Sequence, residues 1–439
     1  MVTLVGTVYI FDPSSLESFA RPKTMVLAAG VTAVVCVAIG ERLLRIGLPT
    51  VGRRTFSKAR GFVVGIAVAL VVSYVAATVV SIDRSHSWWG ESLQYQGLVP
   101  LLLSITSAGL ALRWTRKERD VRQFMTIAAT TSVPMSVYAF AQVTYHDPWW
   151  DVLPSDRAFA TIGQSNSLGA VLVLAVFCGC GAAASAGGRG RAGLWIVTTV
   201  IALAVGTTLS RGAFIGLASG GVVWSSLRVR PAASWRKRAA VVTILGGSVA
   251  VPGVRAATAA ALHRASSLAA GRADPSIRPH LGLLRAARAI VADHPWTGIG
   301  PDNYVLVFDR YRDAVLPPEE SWVLSLFRPE SPHNVVVARA VDGGIPALTA
   351  YLALFVVAGL VTIRAARRAT GNRRNLLAAG MAAITAHFVT DLFMTGETAG
   401  TLLGWVVLGT TVAVATSDPG HAANQDYAGP GLRAMSGAH

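Results

Sequence analysis

Eleven apolar stretches of membrane-crossing length divide this chain, and no other feature constrains its fold as strongly. They run at about 24–40, 61–82, 97–113, 122–143, 166–185, 193–209, 211–227, 238–254, 335–363, 375–393 and 398–416. An α-helix of about 20 residues spans roughly 30 Å of hydrocarbon. The runs are continuous rather than alternating, which excludes the strands of a membrane β-barrel. Charged residues make up only 14% of the 439, where a soluble domain carries about a quarter. Residues 1–11 are apolar but too short to span. They read as the end of a first helix whose beginning is missing, giving an all-α polytopic membrane protein of about twelve transmembrane helices.

The basic residues orient the chain. Five alternate connections, 41–60, 113–122, 186–192, 227–238 and 364–374, hold 23 of the 39 Lys and Arg. Short basic loops stay cytoplasmic. The connections between them, 12–23, 83–96, 144–165, 209–211, 255–334 and 394–397, then face outward. The same rule accounts for the net charge of +16, so no nucleic-acid partner is expected. The largest outer connection, 255–334, lies between the ninth and tenth helices and holds nine Arg against eight Asp and Glu. Leu281, Leu284, Ala287 and Val291 recur at helical spacing within it, which predicts a small folded cap with one or two helices near the membrane surface. The organisation expected is N-terminal spans over 1–254, an outer cap over 255–334 that carries part of the active site, C-terminal spans over 335–416, and a disordered cytoplasmic tail over 417–439. Cys36, Cys178 and Cys180 lie in apolar segments and form neither a metal-ligand spacing nor a disulfide framework. No cleavable signal peptide is evident.

Polar residues at the outer ends of the helices are the candidates for chemistry. Ser210-Arg211-Gly212 makes a tight outer turn. Arg211 there is either a snorkelling anchor or the partner of an anion, whose oxygens a guanidinium fork can hold in pairs. Arg157 precedes Thr161-Ile162-Gly163-Gln164-Ser165-Asn166, where the polar side chains either cap a helix or touch a polar ligand. Arg278, in Ser276-Ile277-Arg278-Pro279-His280-Leu281, stands where the loop helix begins and is either solvated or functional. Asp293 to Pro301 is dense in Gly and Pro and reads as architecture. In Ser331-Pro332-His333-Asn334, His333 stands at the outer end of the following span. An imidazole titrates near neutrality and can take a proton from a hydroxyl. His387 and Asp391 share a face of a late helix, and a carboxylate at that depth implies a role or a partner. No Walker loop, dinucleotide fingerprint or D-x-D metal motif falls at a membrane face, so neither ATP, a cofactor nor a metal is expected.

At these residues the chain resembles the O-antigen ligase/polymerase family of bacterial membrane glycosyltransferases. The resemblance runs in order over almost the whole chain: Pro22-Lys23; Gly90 to Leu98; Tyr138 to Pro148 with Gln142 and Asp147; Arg157 to Leu168; Ser210-Arg211-Gly212; Arg278 to Leu281; Pro295 to Gly300; and His333-Asn334 with Gly344 ten residues after the Asn. It implies a GT-C-like helical fold in the bacterial cytoplasmic membrane, with the active site on the outer face. It also implies an undecaprenyl-pyrophosphate-linked glycan as donor, used without metal or nucleotide. By the same resemblance His333 is the general base, Arg211 and Arg278 hold the pyrophosphate, Arg157 and Asn334 contact substrate, and Asp391 matches a functional carboxylate. Two positions depart from the pattern. Ala347 stands where a second Gly is usual, and the Gly-Asn-Pro-Asn opening reads Gly163-Gln164-Ser165-Asn166. The acceptor, whether glycan, lipid or protein, therefore stays open, as does the choice between ligase, polymerase and protein O-oligosaccharyltransferase. A lipid-linked glycan transporter and a non-catalytic scaffold are the readings from other classes. The absence of an internal repeat speaks against transport.

Overall fold

The computed structural model describes residues 2–12, 19–44, 57–91, 95–144, 147, 157–228, 277–326, 329–394, 396 and 398–417. Among these every regular element is helical. Ten of the eleven apolar stretches are helices: α2 (Ala20–Leu44), α3 (Lys58–Val79), α5 (Leu98–Trp114), α6 (Glu118–Val143), α7 (Ser165–Ala184), α8 (Gly188–Thr207), α9 (Arg211–Arg228), α13 (Val335–Arg368), α14 (Gly371–Asp391) and α15 (Thr398–Ala415). The stretch 238–254 and the tail from 418 lie outside the described residues, as does 255–276 of the expected cap. Two short helices, α1 (Val2–Tyr9) and α4 (Arg84–Trp89), complete the N-terminal half. Seven of the described helices are long and apolar enough to cross a membrane, which makes this a multi-pass membrane protein without fixing twelve spans.

Burial follows the distribution of apolar residues. α7 and α15 are apolar on all sides and almost wholly buried at the centre. α2, α3 and α8 leave most of their apolar surface outward, as lipid-facing helices do. Where water is absent, helices associate through close packing of small residues. Along α9, Gly212, Gly216 and Gly220 recur every four residues and meet Thr390, Ala386 and Ala382 of α14 in the same steps. A Cβ on Gly216 would lie 2.6 Å from the Ala386 carbonyl oxygen, and one on Gly220 2.8 Å from that of Ala382. The basic residues of the alternate connections also do structural work at one end of the bundle. Arg122 donates to the Ser185 carbonyl, Arg374 to that of Leu227, and Arg373 to those of Val414 and Ser417. Each thereby satisfies carbonyls that a neighbouring helix end leaves open.

The opposite end carries the cap, built from three helices: α10 (Ile277–Asp293), α11 (Tyr304–Val315) and α12 (Pro318–Ser325). Its core comprises Leu283, Ala286, Ala287, Ile290, Ile299, Tyr304, Phe308, Leu316, Leu324 and Val341. The inward stripe of α10 is thus 283, 286, 287 and 290; of the expected stripe Ala287 belongs to it and Val291 packs against it, while Leu281 is exposed. The alternative spacing wins because it brings Leu283 and Ile290 together against Tyr304 and Phe308.

The expected span at 335–363 is present, but it is not one continuous helix. α13 breaks at Gly344, whose φ of 69° and ψ of −170° interrupt the helix just before Pro346. The break frees backbone groups that hydrocarbon could not satisfy, and the segment between α10 and α11 satisfies them. Ile299 N–H donates to Val341 O (2.9 Å), Gly300 N–H to Asp342 O (3.0 Å), and Ile345 N–H to Pro295 O (2.8 Å). Such contact requires glycine: Gly298 has φ of 63°, and a Cβ there would lie 2.3 Å from Val341 O. Gly298→Ala should therefore loosen the cap while leaving the spans intact. Strain of about 1–3 kcal/mol corresponds to cap opening roughly 5- to 150-fold more often, read as faster hydrogen exchange at Ile299, Gly300 and Ile345. Unchanged exchange at these amides would refute the role given to the docked loop.

Candidate functional site

The motif-bearing helix ends gather at the cap end of the bundle. Lys23, fully buried in the first turn of α2, donates to Ile162 O (3.1 Å) in a short 3-10 turn, Ala160–Ile162. Gln142, at the end of α6, accepts from Phe159 N–H and Ala160 N–H and donates to Asp147. Arg157 reaches in two directions, with Nε donating to Thr208 O (2.9 Å) and Nη2 to Asn166 Oδ1 (2.7 Å). It thereby fixes the turn that leads from α8 into Arg211, with Ala158 N–H on Thr207 O as a second tie. Leu209 in that turn has a φ of 47°. Arg211 opens α9 with its side chain exposed, and Gly212 behind it lies against Thr390 and Phe393 at the end of α14.

Asn334 joins the next two elements. Its Oδ1 accepts from Val336 N–H (3.0 Å) and Val337 N–H (3.1 Å), capping α13. Its Nδ2 donates to Leu392 O (2.9 Å). The start of α13 is thus tied to the residue after Asp391, and Thr390 Oγ1 to Gly212 O (3.3 Å) ties α14 to α9. His333 precedes Asn334 with a φ of 51°, a conformation unfavourable for a residue with a Cβ and often retained at functional positions. Its ring stands edge-on to His280, 6.0 Å between centroids. Burial, with the neighbouring His280 second, holds the His333 imidazole below the usual histidine range and so keeps it neutral with a free lone pair. Arg278 belongs to the first turn of α10, two residues before His280; its side chain lies outside the described residues.

Beneath this rim lies a charged cluster. His387 Nε2 is 3.4 Å from Asp391 Oδ2. The two residues share a cavity of about 20 Å³ with Val335, Tyr351, Trp405 and a further charge, Arg339. Arg339 Nη1 bonds Tyr74 OH (2.8 Å) and lies 3.6 Å from Asp342 Oδ2. Asp342 also accepts from Tyr74 OH and from Asp302 N–H. Asp302 belongs to the docked loop. Burial, with Asp342 second, pushes its carboxyl up to about 8, while Glu91 N–H and Gln96 N–H donate to it. The structure therefore brings Arg211, His333, Asn334 and Asp391 to neighbouring helix ends, with Arg157 buttressing the turn before Arg211. Arg339 and Asp342 escaped the sequence reading, although two charges three residues apart inside an apolar run mark a functional position in a membrane helix.

A second, larger cavity of about 230 Å³ opens between α3, α5, α13 and α15. Its lining is almost entirely aliphatic, with Val64, Val68, Ile105 and Leu354 among the residues, and it shares Trp405 and Leu408 with the polar cavity. An apolar trough thus adjoins a charged pocket across two side chains.

No curated protein matches the chain. Residues 196–352 match the family model described as O-antigen ligase. The match runs from within α8 through the cap to the second half of α13, taking in Arg211, Arg278, His333, Asn334 and Arg339, and leaving out Arg157 and Asp391. With the helical fold and these helix ends, it supports assignment of the chain to the O-antigen ligase/polymerase family.

Proposed function

We propose that this protein transfers a glycan from an undecaprenyl-pyrophosphate-linked donor to an acceptor hydroxyl, at the outer face of the bacterial cytoplasmic membrane. The observation that carries this reading is His333. It is a neutral, partly buried imidazole in a strained turn, one residue from the Asn334 link to the Asp391 helix end. In the proposed step His333 takes the proton of the acceptor hydroxyl. The oxygen attacks the anomeric carbon, the bond from that carbon to the pyrophosphate breaks, and the configuration inverts. Pyrophosphate leaves as an already stable anion, so the protein's main contribution on that side is electrostatic. Arg211, exposed at the start of α9, is assigned that work together with Arg278, because guanidinium forks pair well with phosphate oxygens. The donor's lipid tail lies partly in the aliphatic trough between α3, α5, α13 and α15. Asn334 and Arg157 act on substrate by fixing the turns that carry His333 and Arg211. Ligase and polymerase are separated by what accumulates on undecaprenyl pyrophosphate when the gene is lost: long polymers for a ligase, single repeat units for a polymerase.

Two outcomes test the assignment. His333→Ala should lower transfer by roughly 10²- to 10⁴-fold, the usual contribution of a general base. Arg211→Ala should abolish transfer while the protein still inserts, checked by extracting lipid-linked glycans alongside membrane-fraction blots. Wild-type transfer by either variant would remove that residue from the mechanism. The second outcome concerns pH. An imidazole acts as a base only when unprotonated, and His333 titrates below the usual histidine value of about 6.5. The rate should hold through neutral pH and fall only in more acidic solution. Because His280 contributes to the lowering, His280→Ala should raise the His333 pKa and move the acid limb of kcat/KM to higher pH. A limb that stays in place or moves lower would contradict the base assignment.

A further inference from the structure

Arg339, His387 and Asp391 are buried within their helices, and three of their polar atoms have no hydrogen-bond partner: Arg339 Nε, His387 Nδ1 and Asp391 Oδ1. All three residues line the one small cavity of about 20 Å³. Buried polar atoms are nearly always paired, so unpaired atoms on residues that line one void call for a bridging group. A void of ~10–15 Å³ seats one water; this one takes a single oxygen-sized group. The remaining valences are already engaged. Arg339 Nη1 is committed to Tyr74 and Asp342, and Asp391 Oδ2 faces His387 Nε2. Gly404 leaves room for that histidine, since a Cβ there would lie 2.4 Å from His387 Cδ2.

We propose that the cavity is a one-water site joining Arg339 and Asp391 beside His387, and that through this water Arg339 acts as a positioning residue for Asp391. The water accepts from Arg339 Nε–H and donates to Asp391 Oδ1. Because Asp342 accepts from Asp302 N–H (3.2 Å) and from Tyr74 OH, the line from docked cap to Asp391 runs through Asp342 and Arg339. The role rests on the reading of Asp391 as part of the transfer site; the water site itself does not.

The test uses full-length protein in nanodiscs and lipid-linked glycan extracted from the native host lacking this gene. Arg339→Met and Asp391→Asn should each lower kcat by roughly 100-fold with KM little changed. The double variant should be no slower than either single one, because groups acting as a unit are non-additive. Arg339→Lys, which keeps a donor on a shorter reach, should recover part of the rate, and it replaces Arg339→Met in the cycle should the latter fail to insert. A double variant slowed by the product of the two losses, ~10⁴-fold, would overturn the coupling, as would wild-type kcat in Arg339→Met. A high-resolution map of the wild-type protein should show one ordered water within ~3.2 Å of Arg339 Nε and Asp391 Oδ1, and an empty cavity overturns the site. A wild-type protein that holds the water yet transfers no glycan supports the site and removes the transfer reading.

Discussion

The break in α13 at Gly344 is the constraint on which the rest of this end of the molecule depends. A helix interrupted inside a membrane protein must find partners for the carbonyls and N–H groups it releases. Here the Pro295–Gly300 segment supplies them in three backbone hydrogen bonds. The consequence is geometric. The first part of α13, from Val335 to Gly343, belongs as much to the cap as to the spans, since Val341 is a member of the cap's own core. His333 and Asn334, at the start of this short piece, are held from above by the cap and from the side by Leu392 O. The same piece carries Arg339 and Asp342 inward, so a single broken helix presents an imidazole at its rim and an ion pair at its depth.

A second constraint sets where Arg211 stands. Three glycines at four-residue intervals on α9 let its backbone approach α14 closely enough to touch carbonyl oxygens. Gly212 is the last of these contacts, so Arg211 emerges next to the end of α14 at Thr390 and Phe393. Association by such small-residue contact is tight, because a Cβ added at Gly216 or Gly220 would meet a side chain and also the carbonyl oxygen of Ala386 or Ala382, which cannot move aside without bending α14. Arg157 fixes the other side of the same turn by holding Thr208 O and Asn166 together. Arg211 is thus carried on a turn clamped from two directions.

Much of this was legible in the sequence, for identifiable reasons. Span-length apolar runs can only be helices, and all ten that fall within the described residues are. The alternation of basic connections reappears as arginines that satisfy helix-end carbonyls at one end of the bundle. The Gly-rich run from Asp293 to Pro301 read as architecture, and it is the segment that docks on the broken helix. Other features were hidden. The stripe beginning at Leu281 and the stripe through Leu283 and Ile290 are equally periodic, and only the tertiary partners Tyr304 and Phe308 choose between them. The break at Gly344 was masked by its apolar surroundings, which look the same for one helix or two. Arg339 and Asp342 were open to detection, because charges inside such a run are costly unless paired; the partner, Tyr74, is 265 residues away in sequence from Arg339 and no local pattern points to it.

The segment that matches the O-antigen ligase family, 196–352, cannot form this site by itself. It supplies His333, Asn334, Arg211 and Arg339, yet the groups that give each of them a fixed place come from elsewhere. Leu392 O holds Asn334, Thr390 and Phe393 back Gly212, Tyr74 holds Arg339, and Arg157 clamps the turn before Arg211. Asp391 and His387, which close the polar cavity, lie beyond the segment as well. The residues that would meet the reacting atoms and the residues that hold them still are therefore distributed across unmatched and matched parts of the chain. Unmatched helices such as α2, α3, α7 and α14 are free to change in composition only where they do not carry one of these contacts. The exposed parts of the cap carry none of them, and a substitution there leaves every one of these ties intact.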